Sequence, residues 1–135
     1  MSMGRGGVCR KTSENERSVE YEYYSYDLDI PECRNEEKLY DGRIVIAKAA
    51  LVEPEIHEKM KRKPNGNKQL VRKIIPQSVD VRALAANGNI TITNCSHTSR
   101  KTTEGIDVFA IYLCGKIFDN YQLNGALPEK CSVHQ

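Results

Sequence analysis

From Ile106 to Tyr121 the apolar side chains fall at 106, 109, 110, 113, 114, 117, 118 and 121, a spacing that a helix gathers onto one broad face. A face that wide must be covered. The spacing predicts a helix from about Glu104 to Leu123, with Glu104 and Asp107 in its first turn and Gly125 then Pro128 beyond its end. Gly115 interrupts it at a cost of about 1 kcal/mol relative to Ala, so a strand from Ile106 to Leu113 followed by a shorter helix is the alternative.

The covering surface has to come from strands. Val19, Tyr21 and Tyr23, then Tyr24, Tyr26, Leu28 and Ile30, alternate through residues 18–30, and the slip at Tyr23-Tyr24 predicts a bulge. Arg43 to Ala49, Lys68 to Ile75 and Asn89 to Asn94 read as further strands. A short helix is expected over 54–63, from Pro54 in its first turn and the pairs Glu55–Lys59 and Glu58–Arg62. Another is expected from Val79 to about Asn87 behind Ser78. Residues 1–17 carry too few apolar side chains to offset their ordering and read as a mobile tail. The expected architecture is a single α+β domain over 18–135. It has a small mixed sheet of about four strands, two short helices and one longer C-terminal helix.

The chain has 20 Lys+Arg against 18 Asp+Glu, and the near balance hides a separation along the sequence. Glu14 to Glu58 holds 13 acids and 5 bases; Lys59 to Lys101 holds 10 bases and one acid, Asp80. Sorting of this kind suggests a polyanion site, or two surfaces that attract each other within the fold or across a homodimer. The cations concentrate in Lys59, Lys61, Arg62, Lys63, Lys68, Arg72 and Lys73, joined by Arg100 and Lys101 from a later loop. Arg62, Lys63, Arg72 and Arg100 are the strongest candidates for phosphate contact, since guanidinium forks phosphate oxygens and lysine acts as a point charge. The tyrosines cluster among Glu20, Glu22 and Asp27, where acid repels phosphate, so base stacking beside the cations is not expected.

Other chemistry finds weaker footing. Cys95, His97, Cys131 and His134 have the right donor types for zinc, but one intervening residue strains chelation by Cys95 and His97, and no metal or cofactor is assigned. Five cysteines without regular spacing fit reduced thiols rather than a disulfide framework. Glu53, Glu55, His57 and Asp80 supply the residue types of a metal-dependent hydrolase without its spacing, so no catalytic residue is named. Residues 4–12 superficially suggest a phosphate loop, but Arg10 stands where glycine is required. With no apolar run long enough for a bilayer and no leader-like segment, a cytoplasmic location is expected.

The leading expectation is therefore a non-enzymatic binding protein whose basic edge takes nucleic acid or a nucleotide. Compact size, sorted charge and the lack of catalytic order are common among accessory proteins of phages and mobile elements. The alternatives are a protein-interaction module or homodimer pairing acidic with basic surfaces, and a metal-dependent hydrolase.

Overall fold

The computed structural model describes residues 4–135. In chain order the elements are β1 (Arg5–Glu14), β2 (Ser18–Asp27), β3 (Gly42–Ala47), β4 (Glu55–Arg62), β5 (Lys68–Ile75), α1 (Val81–Ala86), β6 (Ile90–Thr93), α2 (Val108–Asn124) and β7 (Lys130–His134). Five strands make one sheet in the order β6-β3-β2-β1-β7; β4 and β5 form a separate two-stranded ribbon. Every pairing is antiparallel.

The apolar stripe is the face of α2 that packs on this sheet. Phe109, Ala110, Leu113, Cys114, Ile117 and Phe118 are all buried, and they meet Val19, Tyr21 and Tyr23 of β2 and Ile44 and Ile46 of β3 in one core. Because α2 links β6 at one edge to β7 at the other, it crosses the whole sheet. The helical reading holds from Val108 onward and the strand alternative falls away, but the helix begins at Val108 rather than near Glu104. Asp107 caps α2 at its start and Gly125, at φ 73°, ends it in the left-handed region.

Several expectations are corrected. The sheet has five strands and is wholly antiparallel, not a mixed sheet of about four. The mixed reading depended on a crossover helix over 54–63, and that segment is strand β4. Ile56 and Met60 at i and i+4 fit a period of two as well as one of 3.6, and pairing with β5 from Glu55↔Ile75 to Arg62↔Lys68 decides for the strand. Within the segment read as a mobile tail, Arg5–Glu14 is strand β1, paired on both sides; residues 1–3 lie outside the described residues. Its glycines mark close approach rather than disorder. A Cβ on Gly7 would press on Phe109 and Leu113 of α2, and one on Gly6 would meet the Val133 carbonyl. The register slip lies in β1 between Lys11 and Ser13, and Tyr23-Tyr24 is regular. Both tyrosines are buried because Tyr23 faces α2 while Tyr24 is covered on the opposite face by Tyr40, edge-on at 4.8 Å.

Candidate functional site

The ribbon stands away from the sheet, since neither β4 nor β5 pairs with any other strand. All eight residues of β4 are exposed, as are six of the eight in β5. Its root is fixed to the last turns of α2. The buried Gln122 accepts from the Gln77 N–H (2.6 Å) and donates to the Gln77 carbonyl (2.9 Å). Tyr121 donates to the Glu53 carboxylate at 2.7 Å, which raises the tyrosine's pKa, and the Gln77 side chain donates to the Glu53 carbonyl at 2.6 Å. Both chain ends of the arm are thus held by one helical turn. At the tip, Gly66 takes φ 88° and donates to the Lys63 carbonyl at 2.9 Å, closing a tight turn over Pro64 and Asn65.

Pleating sorts the arm into two faces. One carries the cross-strand rungs Ile56/Ile74, Glu58/Arg72, Met60/Leu70 and Arg62/Lys68; the other carries Glu55/Ile75, His57/Lys73, Lys59/Val71 and Lys61/Gln69. The second face therefore presents Lys59, Lys61 and Lys73 beside His57. Glu55 and Glu58 are the arm's two carboxylates, and each has a neighbour. Glu58 lies 3.9 Å from Arg72 across the ribbon, and Glu55 lies 3.4 Å from His57. The helical pairs Glu55–Lys59 and Glu58–Arg62 do not form, because four residues along a strand separate side chains by roughly 13 Å. Lys59 and Arg62 are therefore left without those partners. From Lys61 through Arg62 and Lys63 to Lys68 the distal end holds four cations and, among the described residues, no carboxylate within 4 Å.

Apart from Glu55 and Glu58, the acids of the front segment lie off the arm. On the sheet face turned away from α2, Glu20 pairs with Arg43 at 3.3 Å and Glu22 with Arg10. Glu14 is held by Lys11 (2.9 Å) and Lys48 (2.7 Å), and these ammonium groups lower its pKa. Arg10 also lies over the Tyr40 ring, 3.9 Å from its centroid. So three acids of the front segment, Glu14, Glu20 and Glu22, are paired with cations within and beside the sheet. Beside it, Val8, Tyr24, Tyr26 and Leu28 line a cavity of about 340 Å³.

Arg100 and Lys101 do not join the arm. Val108 at the start of α2 donates to the Arg100 carbonyl, and the backbone of Lys101 forms an antiparallel bridge with that of Asp107. The arm is rooted near the other end of that helix, about 20 Å away by helical rise. The basic segment thus divides into a seven-cation arm and a separate pair.

Sequence reading missed the buried polar cluster at the start of α2. Oδ2 of the fully buried Asp107 accepts from the hydroxyls of Tyr23 (2.9 Å) and Ser25 (2.9 Å), with Thr98 Oγ1 at 3.1 Å and Cys95 Sγ at 3.7 Å. Oδ1 accepts from the Phe109 N–H, and the Cys95 N–H donates to the Tyr23 oxygen. Burial, with Asp107 beside it, raises the pKa of Tyr23. Every oxygen of the carboxylate is occupied, which makes the cluster a joint between β2, the 94–98 loop and α2. Sequence reading placed Asp107 within the helix's first turn rather than at its N-cap, and showed no sign of its partners from β2.

The four zinc-type donors stay apart. Cys95 belongs to this joint, while Cys131 faces Cys9 across β1 and β7, and His134 lies 3.0 Å from the Tyr26 hydroxyl. Among the described residues no group of three His, Cys, Asp or Glu side chains could hold a metal ion. Glu53, Glu55 and Asp80 are likewise separate, the last capping α1 through the Ala83 N–H. Among the described residues no helix is long and apolar enough to cross a membrane. No family model, curated protein or solved structure matches the chain.

Proposed function

We propose that the β4–β5 arm binds nucleic acid through its phosphate backbone. The observation that carries this reading is the projecting ribbon itself, with seven cations and two carboxylates between Glu55 and Ile75 and its distal four cations unneutralised. Two strands of eight residues extend about 26 Å, longer than one nucleotide and matched to a polymer. A two-stranded ribbon also fits the major groove of a duplex. No aromatic residue lies on the arm, so stacking on unpaired bases adds nothing there and phosphate contact dominates. Lys59, Lys61, Arg62, Lys63, Lys68, Arg72 and Lys73 are the contact residues of this reading; Arg100 and Lys101 are not part of it.

Titration of a short DNA duplex at several salt concentrations tests the proposal. Each phosphate neutralised contributes about −0.9 to the slope of log affinity against log salt. Replacing Lys61, Arg62, Lys63 and Lys68 by Gln is expected to flatten that slope by about 3 to 4. A salt-independent affinity, or a variant that binds as the parent does, would refute the reading.

A further inference from the structure

The arm's other face calls for a different partner. Ile56, Met60, Leu70 and Ile74 are 46%, 55%, 55% and 39% exposed, and all four lie on the face that carries the Glu58/Arg72 rung. An isolated two-stranded hairpin is marginal in water and gains stability when a further layer covers its apolar side. Polyphosphate does not suit this role. Glu58 stands in the middle of the face and repels it, and aliphatic rungs offer it nothing.

We infer that this face packs against the same face of a second copy of the chain. The charge pattern carries the choice of occupant. With a two-fold axis running along the ribbon between the layers, Glu58 comes over Arg72 of the second copy and Arg72 over its Glu58. Ile56 then covers Ile74, and Met60 covers Leu70. Under this operation three of the four rungs match, and only the tip rung Arg62/Lys68 sets like charges together. A two-fold axis across the strands through the Glu58/Arg72 rung would set Glu58 over Glu58 with the arms opposed; the inferred axis runs along the ribbon, and the two arms point the same way.

The size of the contact sets its strength. A ribbon about 26 Å long and 10 Å wide covers on the order of 250 Å² per copy, against ~800 Å² per partner in a stable complex. The rung Arg62/Lys68 also brings four like charges together at the paired tips. Association is accordingly weak and concentration-dependent, and it leaves Lys59, Lys61 and Lys73 facing outward on both sides. Pairing covers Arg62, Lys68 and Arg72, which the single arm offers to phosphate, so it competes with contact through those three; the pairing itself is read without nucleic acid.

Sedimentation equilibrium of the full chain tests this without nucleic acid. The parent is expected to show reversible dimers as its concentration rises toward about 1 mM. Met60→Ser with Leu70→Ser should weaken them about tenfold or more. Glu58→Arg alone and Arg72→Glu alone should each lose the dimer, because each sets like charges face to face. Mixing these two variants should restore association, since Arg at 58 then meets Glu at 72 on the other copy. Restoration in the mixture has no explanation in the folding of either arm by itself. A parent that stays monomeric throughout overturns the inference. So does a dimer that survives the Met60 and Leu70 changes, or a mixture no more associated than its components.

Discussion

Tyr23 of β2 donates its phenolic proton to Asp107 at 2.9 Å, joining the middle of the sheet to the N-cap of α2 with both side chains fully buried. The same phenol oxygen accepts the Cys95 N–H at 3.1 Å, so one side chain ties three segments together. Tyr23→Phe keeps the ring and removes both bonds, leaving a buried N–H without its acceptor. A loss of about 1–3 kcal/mol is expected. Asp107→Ala should cost more, because it strips the N-cap and leaves the hydroxyls of Tyr23 and Ser25 unmatched. Urea denaturation of the two variants checks the order.

Two glycines should respond in opposite directions. Gly42 lies opposite Tyr23 in the β2–β3 ladder, and a Cβ there would overlap the tyrosine ring. The ring cannot retreat without breaking its bond to Asp107. Gly42→Ala is therefore expected to cost about 1–3 kcal/mol, the range of overpacked cores. Gly115 sits within α2 with nothing inside 4 Å of an added Cβ. Gly115→Ala should stabilise by about 0.5–1 kcal/mol. Equal shifts in the denaturation midpoints would contradict this account.

Stability should also fall at alkaline pH. Burial pushes the Cys114 thiol up to about 12 from an ordinary value of 9.0, and it raises Tyr21 as well. A raised folded-state value means the native chain keeps a proton that the unfolded chain has released. The stabilisation is whole below pH 9 and is lost as pH rises from there toward about 12. Each such group contributes a slope of about 1.4 kcal/mol per pH unit. Cys114→Ala should remove one group's share of that slope, as measured by chemical denaturation at a series of pH values.

The root clamp makes a prediction of its own. Gln122 donates to and accepts from the backbone of Gln77, and leucine of similar size can do neither. Gln122→Leu should raise amide hydrogen exchange through Glu55–Ile75 while protection in β2 and β3 stays close to that of the parent. An unchanged arm, or uniform loss of protection, would show that the clamp does not set the arm's order.

Those parts of the fold that repeat a period were legible in the sequence. The stripe of α2 and the alternation in β3 and β6 each reflect a single buried face, which is what periodicity records, whereas β2 is covered on both faces at Tyr23 and Tyr24 and so reads as a slip. The element β5 was also read at its true limits, 68–75, from the turn before it and the proline after it. Where the pattern failed, another cause had shaped the residues. In β1 the glycines make room for α2 and Val133, so the composition resembles a tail. In β4 nothing is buried, and two apolar side chains four apart suit either period. Of the basic edge, the run 59–73 was legible because neighbours in sequence stay neighbours on a hairpin. Its division from Arg100 and Lys101 depends on the length of α2, which local composition does not record.

The hold of Gln122 on Gln77 gives the projecting ribbon the mechanics of a cantilever. Its built-in end is the final turns of α2, and that helix lies across the whole sheet. Whatever grips the tip at Asn65 therefore also fixes the bearing of the body. A tethered ligand would be joined to the sheet through these few hydrogen bonds at the root, as a shelf hangs on its bracket.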